Sequence, residues 1–185
     1  VLDIGYSFLA SLNVGQIAQP FVERLSECVE ESVSVSVLDD TDIVYVTRVP
    51  TKRIMTVSIG LGSRFPAFQT SMGRVLLAPL PDDEVVDVYE RSDRSRITDP
   101  TVAAACELLD RLAEVRRDGW ALVDQELEIG VRSVAAPIID PRGRTIAALN
   151  IGTHAGRIDL DELHDRLVPA LLTTSHEVSD AIERH

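Results

Sequence analysis

Three acidic residues, Asp124, Glu126 and Glu128, alternate along one short segment of the sequence. If that segment is extended, residues two positions apart point to the same side, so the three carboxylates would lie together. Three unpaired anions repel one another and need solvent, a cation or a hydrogen-bonding ligand. The sequence therefore leaves open a solvated loop, a metal site and a site for a polar small molecule. The lack of a nearby histidine at ligand spacing argues against the metal site.

A second candidate site is the segment Thr70-Ser71-Met72-Gly73, at the start of a helix predicted over 72–78. A Ser or Thr at the N-cap position leaves the following amides pointing out of the helix end. Those amides and the positive end of the helix dipole bind anions without any basic side chain. The segment predicts either a simple cap or an anion site formed by Ser71, Met72 and Gly73.

Two polar residues lie in segments that are otherwise apolar. Ser133 begins an apolar strand directly after Arg132, and Asn150 lies in the apolar run 147–151. A buried amide that makes no hydrogen bond destabilises the fold, so Asn150 needs a partner. That partner is predicted to be either a neighbouring loop or a polar ligand in a cavity.

The sequence has no P-loop, no Gly-x-Ser-x-Gly elbow, no His-Glu-x-x-His motif and no Cys-x-x-Cys motif. An enzyme would need a nucleophile and a base within hydrogen-bond reach. Ser133, with Asp124 or Glu126 and the distant His154, is the available set, and His154 also fits a polar loop residue. We therefore predict that the chain is not an enzyme and needs neither a metal nor another cofactor.

The elements that must position these residues follow from hydrophobic periodicity. Valine and serine alternate from Ser32 to Val37, which predicts a half-buried strand, and short turns join it to the next two strands. Pro20 is placed near the start of a helix, where proline is tolerated. The predicted fold class is α+β, with one mostly antiparallel sheet of about six strands flanked by helices. The predicted helices cover 3–12, 15–31, 72–78, 82–91, 101–118 and 159–184, and the predicted strands 32–37, 43–49, 54–59, 120–123, 133–139 and 145–152, with a loop at 60–66.

The composition bounds the partners. The 185 residues include 18 Lys and Arg against 30 Asp and Glu, a formal net charge of −12. That balance excludes a basic nucleic-acid-binding surface. No apolar run reaches the roughly 18–20 residues of a membrane span and no signal-peptide pattern is present, so we expect a cytoplasmic protein with no membrane partner. The length fits one domain over residues 1–185, and the first residue, Val1, suggests a domain cut from a longer protein.

Three motifs in order along the chain resemble the IclR-type transcriptional regulators. They cover 62–78, 124–138 and 143–150, and with Leu2-Asp3-Ile4-Gly5 the resemblance extends over nearly the whole sequence. The resemblance implies the effector-binding half of such a regulator, with a GAF-like fold. The DNA-binding winged helix-turn-helix of the family lies N-terminal to this half and is absent from the chain, so DNA contact is expected only through that missing domain.

The same resemblance implies the partners and part of the site. The effector is expected to be a small carboxylic acid whose carboxylate meets the amides of Ser71 and Met72, and the chain is expected to form a homo-oligomer, a dimer or a tetramer. Ser133 corresponds to a polar ligand contact that is often Cys in relatives, and Asn150 replaces a frequent Ser.

The acidic motif and two arginines complete the predicted site. Asp124 and Glu126 match the acidic motif of the family, and which of them faces the pocket stays open. Arg132 and Arg64 are added as positive partners from their position in the sequence, not from the family pattern.

The string 47–55 is similar to the subgroup that governs aromatic-acid breakdown through the β-ketoadipate pathway. It suggests protocatechuate, 4-hydroxybenzoate or β-ketoadipate as effector. Two other functions stay open at this point. One is an assembly module with a vestigial cavity, supported by the apolar helices over 16–31 and 159–184, and the other is an enzyme that acts on a small acid.

Overall fold

The structure is a computed structural model that describes residues 2–51, 59–95 and 104–184, with the side chains of the first helix described from Asn13 onward. In chain order, the helices and strands are α1 (Leu2–Val29), β1 (Ser32–Asp39), β2 (Asp42–Val49), β3 (Arg64–Pro66), a 3-10 turn (Ala67–Gln69), α2 (Ser71–Leu77), α3 (Asp82–Arg91), α4 (Ala105–Asp118), β4 (Ala121–Asp124), β5 (Val131–Ile139), β6 (Thr145–His154), α5 (Leu160–Glu162), a π-helical turn (Leu163–Leu167) and α6 (Val168–Glu183).

The six strands form one sheet in the order β3-β2-β1-β6-β5-β4. Every neighbouring pair in this order is antiparallel. Hairpins connect β1 to β2 and β5 to β6, because each pair is joined by a short polar turn. The predicted α+β class with a six-stranded antiparallel sheet is confirmed.

Each face of the sheet packs against its own layer of helices. On one face, Val33 and Val35 join Leu149 in a core covered by α1 and α6. On the other face, Ala135 and Ala148 pack against residues of α2, α3 and α4. The predicted alternation in β1 is confirmed, because its valines face the first core while its serines lie on the opposite face.

The third strand differs from the prediction. The segment 60–66, predicted as a loop, contains β3 at Arg64–Pro66, which pairs with the start of β2. The predicted strand over 54–59 falls almost entirely at residues 52–58, which lie outside the described part of the chain. Ile59 itself is not in a strand. Edge pairing with β2 gives so short a segment its strand geometry, and hydrophobic periodicity does not reveal such a segment.

The two predicted N-terminal helices are one helix, α1, that runs from Leu2 to Val29. Pro20 therefore lies inside a helix and not near its start, so that part of the prediction is wrong. Gly15, which suggested a boundary, is a contact point with β2: a Cβ there would lie 2.9 Å from the carbonyl oxygen of Val46. Packing on the sheet holds the helix through both residues, against their low helix propensity.

The two later helices agree with their predictions except at the ends. The helix predicted over 101–118 is seen as α4 from Ala105 to Asp118, and residues 96–103 lie outside the described part. The helix predicted over 159–184 spans α5 to α6 and contains a π-helical turn. In the described part of the chain, none of the helices has the length and apolar character of a membrane span.

Candidate ligand-binding site

A cavity of about 800 Å³ lies on the sheet face that carries the serines of β1. Residues of five strands, β1, β2, β4, β5 and β6, form its floor, and the start of α2 and the loop 125–130 form two of its walls. This volume lies within the range typical of small-molecule pockets. Its polar and charged lining, together with Met72, includes Glu31, Tyr45, Arg48, Ser71, Glu128, Ser133, Asn150, His154 and Arg157.

The start of α2 forms one wall of the cavity, and one of the two possible cap residues in the sequence is its N-cap. Thr70, not Ser71, is the N-cap residue, and its Oγ1 accepts a 2.9 Å hydrogen bond from the Gly73 amide. Ser71 and Met72 line the cavity. Gly73 does not line the cavity. Its amide donates to the Thr70 cap, and a Cβ at this position would lie 2.0 Å from the Ala67 carbonyl oxygen. Its role is therefore close packing of α2 on the 3-10 turn.

The hydroxyl groups of Ser71 and Ser133 lie 2.9 Å apart and join the first turn of α2 to β5. Asn150 lies on the neighbouring strand β6 and also lines the cavity. Of the two partners predicted for Asn150, the structure therefore provides the cavity. The Ser71 and Ser133 hydroxyls and the Asn150 amide are uncharged groups that both donate and accept hydrogen bonds.

Arg48, on β2, supplies a positive charge to the same floor. Arg48 pairs with Ser34, which pairs with Asn150, so the three residues form one row across β2, β1 and β6. Neighbouring strands are about 4.8 Å apart, so two strand intervals place the backbones of Arg48 and Asn150 about 10 Å apart. The Arg48 Nη1 donates a 3.2 Å hydrogen bond to the Ser34 hydroxyl.

The Tyr45 phenol interacts electrostatically with Arg48, and no carboxylate among the described residues forms an ion pair with this guanidinium. Burial lowers the pKa of the Arg48 guanidinium from its ordinary value, and the Tyr45 phenol raises it in part. The guanidinium stays protonated, since an arginine is not deprotonated in proteins. Burial also raises the pKa of Tyr45, and the Arg48 charge lowers it in part. The floor of the cavity therefore has a partly desolvated cation beside a neutral phenol.

The acidic motif does not form the row of carboxylates that an extended segment would give. β4 ends at Asp124, and Gln125 has a left-handed backbone with φ 60°. Asp124 points away from the cavity, because its neighbour Val123 and the paired residue Ser133 point into it. Asp124 and Arg132 form a bidentate ion pair with two 2.9 Å hydrogen bonds. The structure therefore places both residues outside the cavity lining, and each satisfies the charge of the other.

Glu126 also lies outside the lining. Its carboxylate accepts hydrogen bonds from both terminal nitrogens of Arg74 on α2, one of them 2.9 Å long. The third nitrogen of Arg74, Nε, donates to the Phe68 carbonyl oxygen at 3.1 Å. This buried pair ties the loop 125–130 to α2. Glu128 is the member of the motif that lines the cavity.

Arg64 lies at the opposite edge of β2, on β3, and is exposed. It pairs with Asp39 and Asp42 at the β1–β2 turn, with distances of 2.6 Å and 3.1 Å. The pKa of Arg64 is raised above its ordinary value, and the hydrogen bond to Asp39 is the largest cause. Arg64 therefore stabilises the edge of the sheet and lies away from the cavity, unlike the prediction.

Further polar and charged groups of the cavity lie at the start of β1 and at the end of β6. Glu31 is buried and its two carboxylate oxygens accept hydrogen bonds of 2.7 Å and 2.6 Å from Arg157. His154, at the end of β6, lies over Gly130, where a Cβ would come within 2.9 Å of its Nε2. The Nδ1 of His154 accepts a hydrogen bond from the Gly156 amide at 3.1 Å.

A nucleophile with its base is therefore not assembled in the described part of the site, because the Ser133 hydroxyl pairs with Ser71 while His154 is held by the backbone. Within the described ranges, no three His, Cys, Asp or Glu side chains lie close enough to hold a metal ion.

The structure thus brings together four of the nine predicted contact residues, Ser71, Met72, Ser133 and Asn150. The sequence reasoning missed Arg48, Tyr45 and the Glu31–Arg157 pair. A basic residue near the end of a strand that is otherwise apolar was the available signal for Arg48.

Comparison with known proteins matches the chain to one family. The family of bacterial transcriptional regulator IclR C-terminal domains matches residues 6–180. The Pca regulon regulatory protein of Pseudomonas putida is 39% identical over 179 residues, which are 96% of this chain and 62% of that protein. The chain thus spans less than two thirds of this relative. The p-hydroxybenzoate hydroxylase transcriptional activator of Acinetobacter baylyi is 31% identical, over 98% of this chain and 69% of its own length.

Solved structures show the same fold. A transcriptional regulator from Rhodococcus sp. RHA1 has 52% identity and a TM-score of 0.89, over 98% of this chain and 74% of that one. The inducer-binding domain of the Acinetobacter PobR transcription factor, a double mutant in complex with 3-hydroxybenzoic acid, has 31% identity and a TM-score of 0.82, over 89% and 97% of the two chains. The GAF-like fold predicted for this chain is therefore confirmed. The matched proteins are transcriptional regulators and not enzymes.

Proposed function

Because this chain belongs to the IclR family of bacterial transcriptional regulators, as their C-terminal effector-binding domain, we propose that it binds a small carboxylic acid at Arg48. One observation carries this proposal: a partly desolvated guanidinium faces an 800 Å³ cavity and has no carboxylate partner among the described residues. A buried cation without an anion is unfavourable, and a bidentate carboxylate compensates it. The seven-residue helix α2 is short, so we propose the amides of Ser71 and Met72 as additional donors and not as the source of charge.

The opposite end of the effector is proposed to meet the Ser71–Ser133 hydroxyl pair and the Asn150 amide. These neutral groups match a hydroxyl or keto oxygen, because they both donate and accept hydrogen bonds. Apolar side chains such as Met72 and Val123 also line the cavity. A polar group at each end of an apolar ring is the shape of a hydroxybenzoate.

We therefore propose protocatechuate or 4-hydroxybenzoate as the effector, with β-ketoadipate as the third candidate. The Acinetobacter relative that was solved with 3-hydroxybenzoic acid supports an aromatic acid. A second carboxylate, as in β-ketoadipate, would need a second cation. The other guanidinium of the described lining, Arg157, already binds the carboxylate of Glu31.

In the whole regulator, residues 1–185 are proposed to form the sensing domain and a winged helix-turn-helix N-terminal to it to bind DNA. Effector binding would shift the balance between two arrangements of the regulator, provided that the effector binds one of them more tightly. We also propose that the regulator acts in the cytoplasm as a homo-oligomer, a dimer or a tetramer.

The test is isothermal titration calorimetry of the purified chain with protocatechuate, 4-hydroxybenzoate, 3-hydroxybenzoate and β-ketoadipate. Arg48→Gln removes the proposed carboxylate partner, and Arg64→Gln is its matched control, since Arg64 is an arginine outside the cavity. A hydrogen bond to a charged group contributes about 1.5–3 kcal/mol, so Arg48→Gln should weaken binding roughly 10- to 150-fold. Arg64→Gln should change the affinity less than about 2-fold, because surface charges contribute little.

Two outcomes would contradict the proposal. If none of the four acids binds, the sensing role loses its support and the chain fits the assembly module with a vestigial cavity. If Arg64→Gln weakens binding as much as Arg48→Gln does, the effector binds elsewhere or responds only to the net charge of the domain.

A further inference from the structure

Strand β2 lies between the cavity and helix α1, and neighbouring residues of the strand face one or the other. Tyr45 and Arg48 line the cavity, whereas Thr47 lies between them and points to α1. A β-bulge makes this possible, because Val35 pairs with Thr47 while the next residue of β1 pairs with Tyr45. The bulge leaves one residue of β2 out of register, which locally disrupts the ladder of backbone hydrogen bonds.

Thr47 is bonded directly to the backbone of α1. It is almost fully buried, with 2% of its surface exposed. Its Oγ1 donates a 2.8 Å hydrogen bond to the carbonyl oxygen of Gly15, in the middle of the helix. A buried hydrogen bond between a strand side chain and a helix backbone fixes the distance between the two elements more tightly than apolar packing alone.

The helix approaches the bulge as closely as its backbone permits. A Cβ at Gly15 would lie 2.9 Å from the Val46 carbonyl oxygen and 3.0 Å from Thr47 Oγ1, so only glycine fits without a shift. Pro20 follows five positions later inside the same helix. Since proline has no amide hydrogen, the carbonyl of Gln16 has no helical donor, and the helix is weakened directly beside the contact with β2.

We propose that Thr47 and Gly15 are positioning residues that couple occupation of Arg48 to the position of helix α1. This inference rests on the proposed function, because it needs an anion that binds Arg48. A carboxylate that draws the Arg48 guanidinium toward itself pulls on β2 at the bulge, where the strand is held least firmly. The displacement passes to Thr47, the adjacent residue, and through its hydroxyl to the Gly15 carbonyl.

The coupling predicts a ligand effect that is confined to one region of the helix. The α1 amides on both sides of the contact, between Gly15 and Arg24, should exchange more slowly when the cavity is occupied. Amide hydrogens of α1 exchange through rarely populated open states of the helix. Because the dominant, closed state binds the effector, loss of the Thr47 hydrogen bond should change the effector affinity by less than about 2-fold. Affinity and α1 protection are therefore separable in one experiment.

The experiment is hydrogen–deuterium exchange with and without saturating protocatechuate or 4-hydroxybenzoate, together with calorimetric affinities. It compares the wild type, Thr47→Val, which keeps the shape without the hydroxyl, and Thr47→Ser, which restores the hydroxyl. Ser175→Ala is the matched control, because the Ser175 hydroxyl also bonds helix to sheet, from α6 to the Pro137 carbonyl. We expect a ligand-induced slowing of roughly 5-fold or more in the wild type, Thr47→Ser and Ser175→Ala, and of less than about 2-fold in Thr47→Val.

Three results would overturn the inference. If the ligand binds and leaves α1 exchange unchanged in the wild type, no coupling exists. If Thr47→Val keeps the wild-type slowing, the coupling does not pass through Thr47. If none of the four acids tested by calorimetry binds, the proposed function fails and the inference fails with it. The absence of binding heat distinguishes this result from the first two.

Discussion

The substitution Glu126→Gln tests whether the acidic motif serves the fold or the ligand. The sequence leaves open whether Asp124 or Glu126 faces the effector, and in the structure the Glu126 carboxylate binds Arg74. The side chains of Arg74 and Glu126 are only 2% and 11% exposed, so the pair is largely removed from water. Glutamine keeps the shape and one acceptor oxygen but leaves the charge of Arg74 without its counterion.

The expected loss follows from that burial. Removing one partner of a buried ion pair destabilises proteins by about 3–5 kcal/mol, because the remaining charge is uncompensated. Since glutamine still accepts one hydrogen bond, we expect the lower end, about 3 kcal/mol. That is a large fraction of the 5–15 kcal/mol typical of a whole domain. The pair of Arg166 and Glu162, whose side chains are 43% and 41% exposed, gives the comparison. Breaking such a surface pair costs about 0–1 kcal/mol.

Urea unfolding followed by circular dichroism at 222 nm measures both substitutions, Glu126→Gln and the control Glu162→Gln. The double substitution Arg74→Met with Glu126→Leu adds a second check, since it removes both charges and should recover part of the stability. The structural interpretation is refuted if Glu126→Gln costs no more than Glu162→Gln. It is also refuted if Glu126→Gln leaves stability unchanged and weakens effector binding, because the carboxylate would then serve the ligand.

Two further predictions concern the packing of α2 and the floor of the cavity. Gly73→Ala should lower the free energy of unfolding by about 1–3 kcal/mol or more, because the new Cβ would lie 2.0 Å from the backbone oxygen of Ala67. A melting temperature equal to that of the wild type would contradict this close packing. The Tyr45 phenol should ionise above its ordinary pKa of 10.0, because burial raises that pKa and outweighs the Arg48 charge. Its stabilising contribution is therefore complete below pH 10 and is lost as pH rises through the folded-state pKa. Absorbance at 295 nm measures this ionisation, and subtracting the titration of Tyr45→Phe isolates the Tyr45 phenol. In the Arg48→Gln background the pKa of Tyr45 should rise further, because the Arg48 charge that lowers it is gone. A Tyr45 titration at or below pH 10 would contradict the effect of burial.

The sheet was predictable from the sequence because strand burial leaves a period of two. In β1 the valines at 33 and 35 are buried in one core while the serines face the other side, as the alternation requires. The turn at Asp140 and the paired strands on either side of it were predictable for the same reason, since turn residues act locally. The continuous helix α1 was not predictable, because the contact of Gly15 with β2 is a tertiary interaction between residues distant in sequence.

The cavity was only partly predictable, and the bulge in β2 explains why. Strict alternation in β2 would place Tyr45 and Thr47 on one face and Arg48 on the other. The extra residue shifts the register, so that Tyr45 and Arg48 share the cavity and Thr47 faces α1. No local pattern signals such a bulge, because it depends on the partner strand. The ion pairs that remove Asp124 and Glu126 from the cavity also join residues 8 and 52 positions apart.

The net charge of −12 raises the question of how this domain would hold an anion. Surface arginines do not answer it, because an excess of acid supplies them with carboxylates: Arg64 pairs with Asp39, and Arg91 pairs with Asp40 and Asp87. Arg48 differs because the strands beside it present Ser34 and Asn150, which carry no charge. Repulsion from the exposed acids is screened beyond about 8–10 Å at physiological salt. The register of the strands, which decides which side chains share a face of the sheet, therefore supports the proposal of an anion at Arg48 despite the negative total charge of the chain.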